Sequence, residues 1–282
     1  MVLSMAGFAA EDAIIKALSG RVPVGQVTFL IGFMGAVFFT TLATRRGARV
    51  FTRQALRGLL LARNLSEMVA TTAMILGIAL APLSVVAAVF QAMPLVVTMG
   101  AALFLGEPVG WRRWTAIVVG FVGVLMIVRP GLQGFDPLAL LPLIAVFMLT
   151  VRDLATRRIQ EGVSSVQLSA WGFMVVMPAG LILLALRGEV PLVPSATDGG
   201  LIVLCTVFGI LSYAALVQAT RTGAIAVTTP FRYSRLVFAM LLGVIFFGER
   251  PDAMTLAGAA LIVTAGLYSM LREIALKRRV LR

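Results

Sequence analysis

The sequence predicts an all-α membrane protein in which ten transmembrane helices form two inverted five-helix repeats. Apolar residues make up 60% of the 282 residues, compared with about 45–50% in soluble domains. Mean hydropathy is +1.01. The apolar residues form long runs that are separated by short charged or Gly/Pro-containing segments. The same pattern of runs and punctuation also recurs at a fixed offset of 142 residues.

Each apolar run is about as long as a helix that crosses the roughly 30 Å hydrocarbon core of a bilayer. Gly and Pro residues and arginines mark most of the ends of these runs. The predicted helices are 2–19, 26–44, 58–80, 83–105, 111–128, 135–156, 164–186, 199–219, 224–247 and 253–271.

The repeat is clearest in segments 81–107 and 223–249, which both contain a proline and polar residues in mid-span and both end in Gly-Glu. The same offset matches Glu11 with Asp153 and Lys16 with Arg158. We therefore expect a first repeat at 1–142 and a second at 143–282, which together form one transport domain. Because five helices per repeat is an odd number, the second repeat must enter the membrane from the opposite side.

The distribution of basic residues predicts the orientation. If both termini are cytoplasmic, 17 of the 24 Lys and Arg residues fall in inner loops or the C-terminal tail, and 4 fall in outer loops. This bias follows the positive-inside rule and predicts a bacterial-type inner membrane protein. It also explains the net charge of +12 through anionic lipid at the cytoplasmic face rather than through nucleic acid.

Charged residues inside the predicted helices are the candidate functional groups, since a charge at the bilayer centre costs at least about 2.5–3.5 kcal/mol. Arg232 and Arg235 are three residues apart and would share one face of a continuous helix. Glu11, Asp12 and Glu67 are acids that could face them. Two interpretations remain open: a central polar cavity that binds a ligand, or salt bridges with a purely structural role.

The sequence argues against catalysis. It contains no histidine and a single cysteine, Cys205, so histidine metal sites and histidine-based nucleophile activation are excluded. No phosphate-binding G-x-x-x-x-G-K-[ST] loop occurs. We therefore predict no enzyme activity, no metal and no cofactor.

These features resemble the drug/metabolite transporter superfamily, and specifically its EamA-type permeases. The resemblance rests on the two five-helix halves and on the turns Gly106-Glu107-Pro108 and Gly248-Glu249-Arg250-Pro251. The run Asp12-Ala13-Ile14-Ile15-Lys16 is similar to a D-A-x-x-K pattern in a branch with riboflavin and S-adenosylmethionine permeases. The resemblance implies alternating access through a central cavity. We expect Glu107 and Glu249 to close turns rather than to bind substrate.

We expect export of an amino acid or a similar small zwitterionic metabolite, and the alternative is import of a cofactor-like molecule such as riboflavin or S-adenosylmethionine. Arg232 and Arg235 would bind the carboxylate of the substrate. Glu11 or Glu67 would bind its amine or carry a coupling proton. Gln91, Tyr213 and Tyr233 would orient the substrate, and Phe90 and Trp171 would supply apolar walls. A monomer is compatible with the sequence. The predicted substrate-binding residues are Glu11, Glu67, Thr71, Phe90, Gln91, Pro94, Trp171, Tyr213, Arg232, Tyr233 and Arg235.

Overall fold

The computed structural model describes residues 1–129, 136–159, 163–222 and 229–280, and every regular element in these ranges is helical. The predicted starts of the sixth and ninth helices, at 135 and 224, lie outside the described residues. The α-helices are α1 (Val2–Leu18), α2 (Val24–Arg45), α3 (Gly58–Leu80), α4 (Leu83–Phe90), α5 (Met93–Leu105), α6 (Trp111–Val128), α7 (Leu140–Arg158), α8 (Ser165–Arg187), α9 (Ala196–Thr222), α10 (Ser234–Phe247) and α11 (Ala253–Val280). Short 3-10 helices occupy Arg53–Leu56, Pro137–Ala139 and Thr229–Tyr233.

Eight segments among the described residues are long and apolar enough to cross a membrane, and α4 with α5 counts as one of them. The two remaining predicted spans correspond to α1 and α10. Helix α1 has 17 residues, which include Glu11, Asp12 and Lys16. Helix α10 has 14 residues and directly follows a 3-10 helix. Helix is therefore present in all ten predicted segments.

The predicted helix 83–105 is interrupted at Gln91 and Ala92, which separate α4 from α5. Pro94 lies in the first turn of α5 and cannot donate the backbone hydrogen bond that a continuous helix requires. Its equivalent region in the second half also contains a proline, Pro230, within the 3-10 helix before α10. Pro94 thus directly follows a break in the α-helix, and Pro230 lies in a 3-10 helix. Such non-α backbone is tolerated in a membrane where protein or water surrounds it.

Four pairs of helices pack most extensively: α2 with α8, α3 with α7, α6 with α11 and α1 with α9. The α2–α8 pair is antiparallel and very close at two glycines. A Cβ atom on Gly25 would lie 2.5 Å from the carbonyl oxygen of Gly180, and the reverse is also true. Any larger residue at either position would therefore push the helices apart, as expected for small-residue packing between membrane helices.

The two ends of the bundle differ. We call the end at which α1 begins the proximal end and the end at which α1 finishes the distal end. The largest cluster of buried apolar residues includes Leu18, Val22, Leu83 and Leu183, all of which lie toward the distal end. The distal half is therefore filled with side chains, and the space between the helices lies toward the proximal end.

Candidate functional site

A cavity of about 970 Å³ lies between the helices, at the upper end of the range for small-molecule sites. On α3, the lining residues include Glu67, Thr71 and Ile75, which are spaced by four residues and share one face. On α9, Gly209 and Tyr213 have the same spacing. The cavity is therefore lined by single helix faces that carry both polar residues, such as Glu67 and Thr71, and apolar residues, such as Ile75.

All but one of the predicted substrate-binding residues line this cavity. They come from α1, α3, the broken α4–α5 segment, α9, the 3-10 helix that leads into α10, and α10 itself. The predicted residues in the lining are Glu11, Glu67, Thr71, Phe90, Gln91, Pro94, Tyr213, Arg232, Tyr233 and Arg235.

Trp171 lies outside the lining and does not form the apolar wall that the sequence analysis assigned to it. Its indole N–H donates a hydrogen bond of 2.7 Å to the backbone carbonyl of Val50, and its ring is buried beside Phe39 and Leu60. Trp171 therefore anchors the segment between α2 and α3. The aromatic ring from α8 that does reach the cavity is Phe173.

Asp12 and Arg235 form a buried ion pair between α1 and α10. Two nitrogens of the guanidinium, Nη2 and Nε, lie 2.6 and 3.2 Å from Oδ2 of Asp12, and the two side chains are 8% and 15% exposed for Asp12 and Arg235, respectively. The guanidinium also lies 5.3 Å from the ring centre of Phe8 and 4.7 Å from that of Phe90. Arg235 is thus neutralised and stacked, and its orientation is fixed by these three neighbours.

A second group of charges connects α3 and α7. Nη1 of Arg152 lies 3.0 and 3.1 Å from the two carboxylate oxygens of Glu67, and Nη2 of Arg63 lies 3.4 Å from the same carboxylate. Arg152 also pairs with Asp153 at 2.8 Å. Two arginines and two acids therefore compensate one another within this group.

Hydrogen bonds also join the two broken segments and the aromatic wall. The side-chain amide of Gln91 donates to the backbone carbonyl of Tyr233 at 3.1 Å, and these two residues are 142 positions apart. The Tyr233 hydroxyl is buried against Gly266 of α11 and has no hydrogen-bond partner among the described residues. Ser169 donates to the Tyr213 hydroxyl at 3.0 Å.

Two cavity residues, Glu11 and Arg232, stand apart from these pairs. The Glu11 carboxylate rests on the bare backbone of Gly209, where a Cβ atom would come within 2.8 Å of Oε1. Arg232 extends from the 3-10 helix and is exposed in the cavity lining. Across residues 1–129, 136–159, 163–222 and 229–280, neither side chain takes part in an ion pair.

The sequence analysis missed the roles of Arg63 and Arg152. The sequence analysis assigns neither arginine to the cavity. The spacing of Arg63 and Glu67 by four residues was the available signal, because such residues are neighbours on a helix. In the part of the chain that the structure describes, no three acidic, Cys or His side chains are placed to hold a metal ion.

The model of the EamA-like transporter family matches residues 1–129 and 137–271. The chain belongs to the EamA-like transporter family. This membership confirms the resemblance noted from the sequence, and it identifies the protein as a multi-pass membrane transporter rather than an enzyme.

The relatives of this EamA-like transporter carry three different functional names. It is 27% identical to an S-adenosylmethionine uptake transporter of Rickettsia felis, over 96% of this chain and 91% of that protein. It is 30% identical to a riboflavin transporter of Rhizobium johnstonii, over 73% and 68%. It is 26% identical to the pseudopaline exporter CntI of Pseudomonas aeruginosa, over 94% and 92%.

A solved crystal structure has the same fold as this transporter. The two superpose with a TM-score of 0.54 at 16% sequence identity, and the match covers 94% of this chain and 98% of the other.

Proposed function

We propose that the protein transports a small zwitterionic metabolite with an α-amino-acid group, and that Glu11 and Arg232 bind its charged ends. The observation that carries this proposal is the pairing of charges around the cavity. The negative charge of Asp12 balances the positive charge of Arg235. In the group that connects α3 and α7, the charges of the two arginines and the two acids balance one another. Among the described residues that line the cavity, one acid, Glu11, and one base, Arg232, remain outside these pairs, which is the complement of a zwitterion.

The pairings also refine the roles expected from the sequence. Arg235 and Glu67 are held by partners inside the protein, so we assign them to supporting the cavity. Arg232 is then the group that would bind the carboxylate through paired hydrogen bonds. Glu11 would bind the ammonium group or carry a coupling proton. Phe90, Thr71, Pro94 and Tyr213 would shape the space between them.

We propose that transport proceeds by alternating access between two inverted repeats, 1–142 and 143–282. The family model matches two ranges. The first, 1–129, lies in the first half, and the second, 137–271, begins six residues before the second half. Helices α2 and α8 are equivalent under the 142-residue offset and pack antiparallel, as Gly32 near Met177 and Gly25 near Leu184 indicate. Equivalent helices that run in opposite directions are what an inverted repeat requires.

We further propose that both termini are cytoplasmic, in a bacterial-type inner membrane. The excess of basic residues at the proximal end supports this orientation, and anionic lipids would contact these residues. The cavity, which lies toward the proximal end, would then be reached from the cytoplasm. We propose export as the direction of net transport.

A second candidate function is uptake of a larger cofactor-like molecule. The 970 Å³ cavity has room for more than a simple amino acid, and Phe8, Phe90 and Phe173 offer faces for a ring system. The relatives named for S-adenosylmethionine and riboflavin favour such cargo. S-adenosylmethionine itself contains an α-amino-acid group, whereas riboflavin does not, so the two are separable by experiment.

Counterflow in proteoliposomes tests the proposal. Vesicles loaded with neutral amino acids, S-adenosylmethionine or riboflavin are tested for exchange with the labelled compound. We expect exchange of an amino-acid-containing compound, and a loss of at least tenfold in Arg232→Gln and Glu11→Gln, because each removes a charged contact worth about 2 kcal/mol or more. Arg112→Gln, at an exposed arginine of α6, is the matched control.

Riboflavin exchange without exchange of any amino-acid-containing compound would replace the first proposal by the second. Wild-type exchange in both Arg232→Gln and Glu11→Gln would remove these residues from the binding site.

A further inference from the structure

The Gly-Glu turn at the end of α10 contacts the opposite half of the protein. Oε1 of Glu249 accepts a hydrogen bond of 2.5 Å from the backbone N–H of Leu83. Oε2 accepts bonds of 2.9 and 2.7 Å from the backbone N–H and the hydroxyl of Ser84. Leu83 and Ser84 begin α4, which has no side-chain cap from its own N-cap residue, Pro82. Glu249 therefore satisfies helix N–H groups that would otherwise lack partners, and its charge complements the helix dipole.

Lys16 adds a third element to this contact. Its Nζ lies 3.5 Å from Oε1 of Glu249 and donates a hydrogen bond of 2.5 Å to the carbonyl of Ala81, just after α3. It also lies 5.5 Å from the ring centre of Phe247. The Lys16 and Glu249 side chains are only 15% and 9% exposed. One cation and one carboxylate thus tie together α1, the α3–α4 turn and the end of α10.

This set lies between the cavity and the distal surface. Two residues close to this set in the chain line the cavity: Ile15, next to Lys16, and Ile75, six positions before Ala81. On the basis of the proposed alternating access, we propose that Lys16, Glu249 and Ser84 form a latch that keeps the distal end of the cavity closed. Turn closure alone, as expected from the sequence, would not need contacts with the other half.

The residues equivalent to Lys16 and Glu249 are in a different environment. Arg158 and Glu107, at the proximal end, are exposed, and Arg158 donates a hydrogen bond to the carbonyl of Phe104. The equivalents of Leu83 and Ser84, at 225 and 226, lie outside the described residues. An acid and a base at equivalent positions are thus largely shielded from solvent at the distal end and exposed at the proximal end. In the opposite state of the transporter, the proximal set closes and the distal set opens.

A latch of this kind can be opened at a modest cost. Water can replace each hydrogen bond when the ends separate, so the net cost per bond is far smaller than its gross strength. A conformational equilibrium needs this property, because each state must remain accessible from the other.

Cysteine labelling tests the latch without any substrate. Ile75→Cys is introduced on a Cys205→Ala background, and a membrane-impermeant maleimide is applied to each face of right-side-out and inverted vesicles. We expect Glu249→Gln and Lys16→Met to raise the labelling rate from the distal face at least tenfold. Ser84→Ala, which removes only the hydroxyl bond, should give a smaller increase in a stable protein.

Glu107→Gln is the matched control, since it alters the equivalent turn at the proximal end, and distal labelling should not rise above the wild-type rate. In the charge-exchange variant Lys16→Glu/Glu249→Lys, the distal end should remain open to the maleimide. A lysine at position 249 cannot accept hydrogen bonds from the backbone N–H groups of α4. Unchanged distal labelling in Glu249→Gln, Lys16→Met and Ser84→Ala would overturn the latch, and so would full closure in the exchange variant. Failure of counterflow would contradict the proposed substrate and leave this result intact.

Discussion

Asp12 and Arg235 form a closed ion pair, whereas their close neighbours Glu11 and Arg232 make no such pair among the described residues. Asp12 and Arg235 therefore form a structural pair. Glu11, next to Asp12, and Arg232, three positions before Arg235, face the cavity instead. A buried ion pair is weak evidence for function, because both charges are already satisfied. An acid and a base left facing a cavity indicate a ligand that brings the missing charges.

The largest effect that separates the two pairs should be on stability. Asp12→Asn leaves the Arg235 guanidinium buried without a counter-charge, and we expect a loss of about 3 kcal/mol in unfolding free energy. Glu11→Gln removes an acid that has no ion-pair partner in the described part of the chain, so its stability should equal or exceed that of the wild type. Thermal unfolding of the purified proteins in detergent measures both.

The double variant Asp12→Asn/Arg235→Met provides the control for this first prediction. It removes both charges and should recover most of the lost stability. Equal losses of unfolding free energy in Asp12→Asn and Glu11→Gln would show that the ion pair with Arg235 does not make Asp12 more important for stability than Glu11.

Most of the fold could be predicted from the sequence, because membrane helices are specified by long apolar runs and their ends by Gly, Pro and arginine. The break between α4 and α5 was not predicted, although Pro94 was a visible cause. The unequal roles of Arg232 and Arg235 could not be predicted either. The chain passes from a 3-10 helix to α10 between them, so the spacing rule for one continuous helix does not apply.

The pairing of charges was also beyond the sequence, because it depends on contacts between distant elements. Arg152 meets Glu67 across 85 positions, and Arg235 meets Asp12 across 223. The sequence shows which residues are charged. It does not show which of them lack an ion-pair partner in the folded protein. For the same reason Glu249 was expected only to close a turn, since its partners on α4 are 165 and 166 positions away.

A substitution in α9 should affect Glu11 without touching its charge. In Gly209→Ala the new methyl group would lie 2.8 Å from Oε1 of Glu11 and would displace the carboxylate. We expect transport in the counterflow assay to fall about tenfold, which is the effect of about 1.4 kcal/mol. Gly200→Ala is the control on the same helix, because no atom lies within 4 Å of its added Cβ. Equal transport in the two variants would contradict a binding role for Glu11.

A smaller effect is expected at Tyr233, which the sequence analysis expected to orient the substrate. Its hydroxyl is buried and without a hydrogen-bond partner in the described structure, so only its ring contributes to the cavity wall. Tyr233→Phe should stabilise the protein by up to about 1 kcal/mol and keep transport within twofold of the wild type. Tyr268→Phe, at an exposed tyrosine of α11, should change neither property. A tenfold loss of transport in Tyr233→Phe would instead support the expectation that its hydroxyl orients the substrate.

The smallest effect concerns an ion pair outside the membrane spans, between Arg129 and Asp252. The hydrogen bond from Arg129, supported by Thr255, holds the pKa of Asp252 well below its usual range. A carboxyl whose pKa is lowered by folding stabilises the folded state above its ordinary pKa, and this contribution is lost as the pH falls toward the folded-state value. The difference in melting temperature between wild type and Asp252→Asn should therefore be small at pH 6 and shrink toward zero below about pH 3. Because the pair is solvent-exposed, high salt should also reduce the difference. A difference that persists unchanged at low pH would mean that the asparagine disturbs the turn itself, and that the charge of Asp252 contributes nothing there.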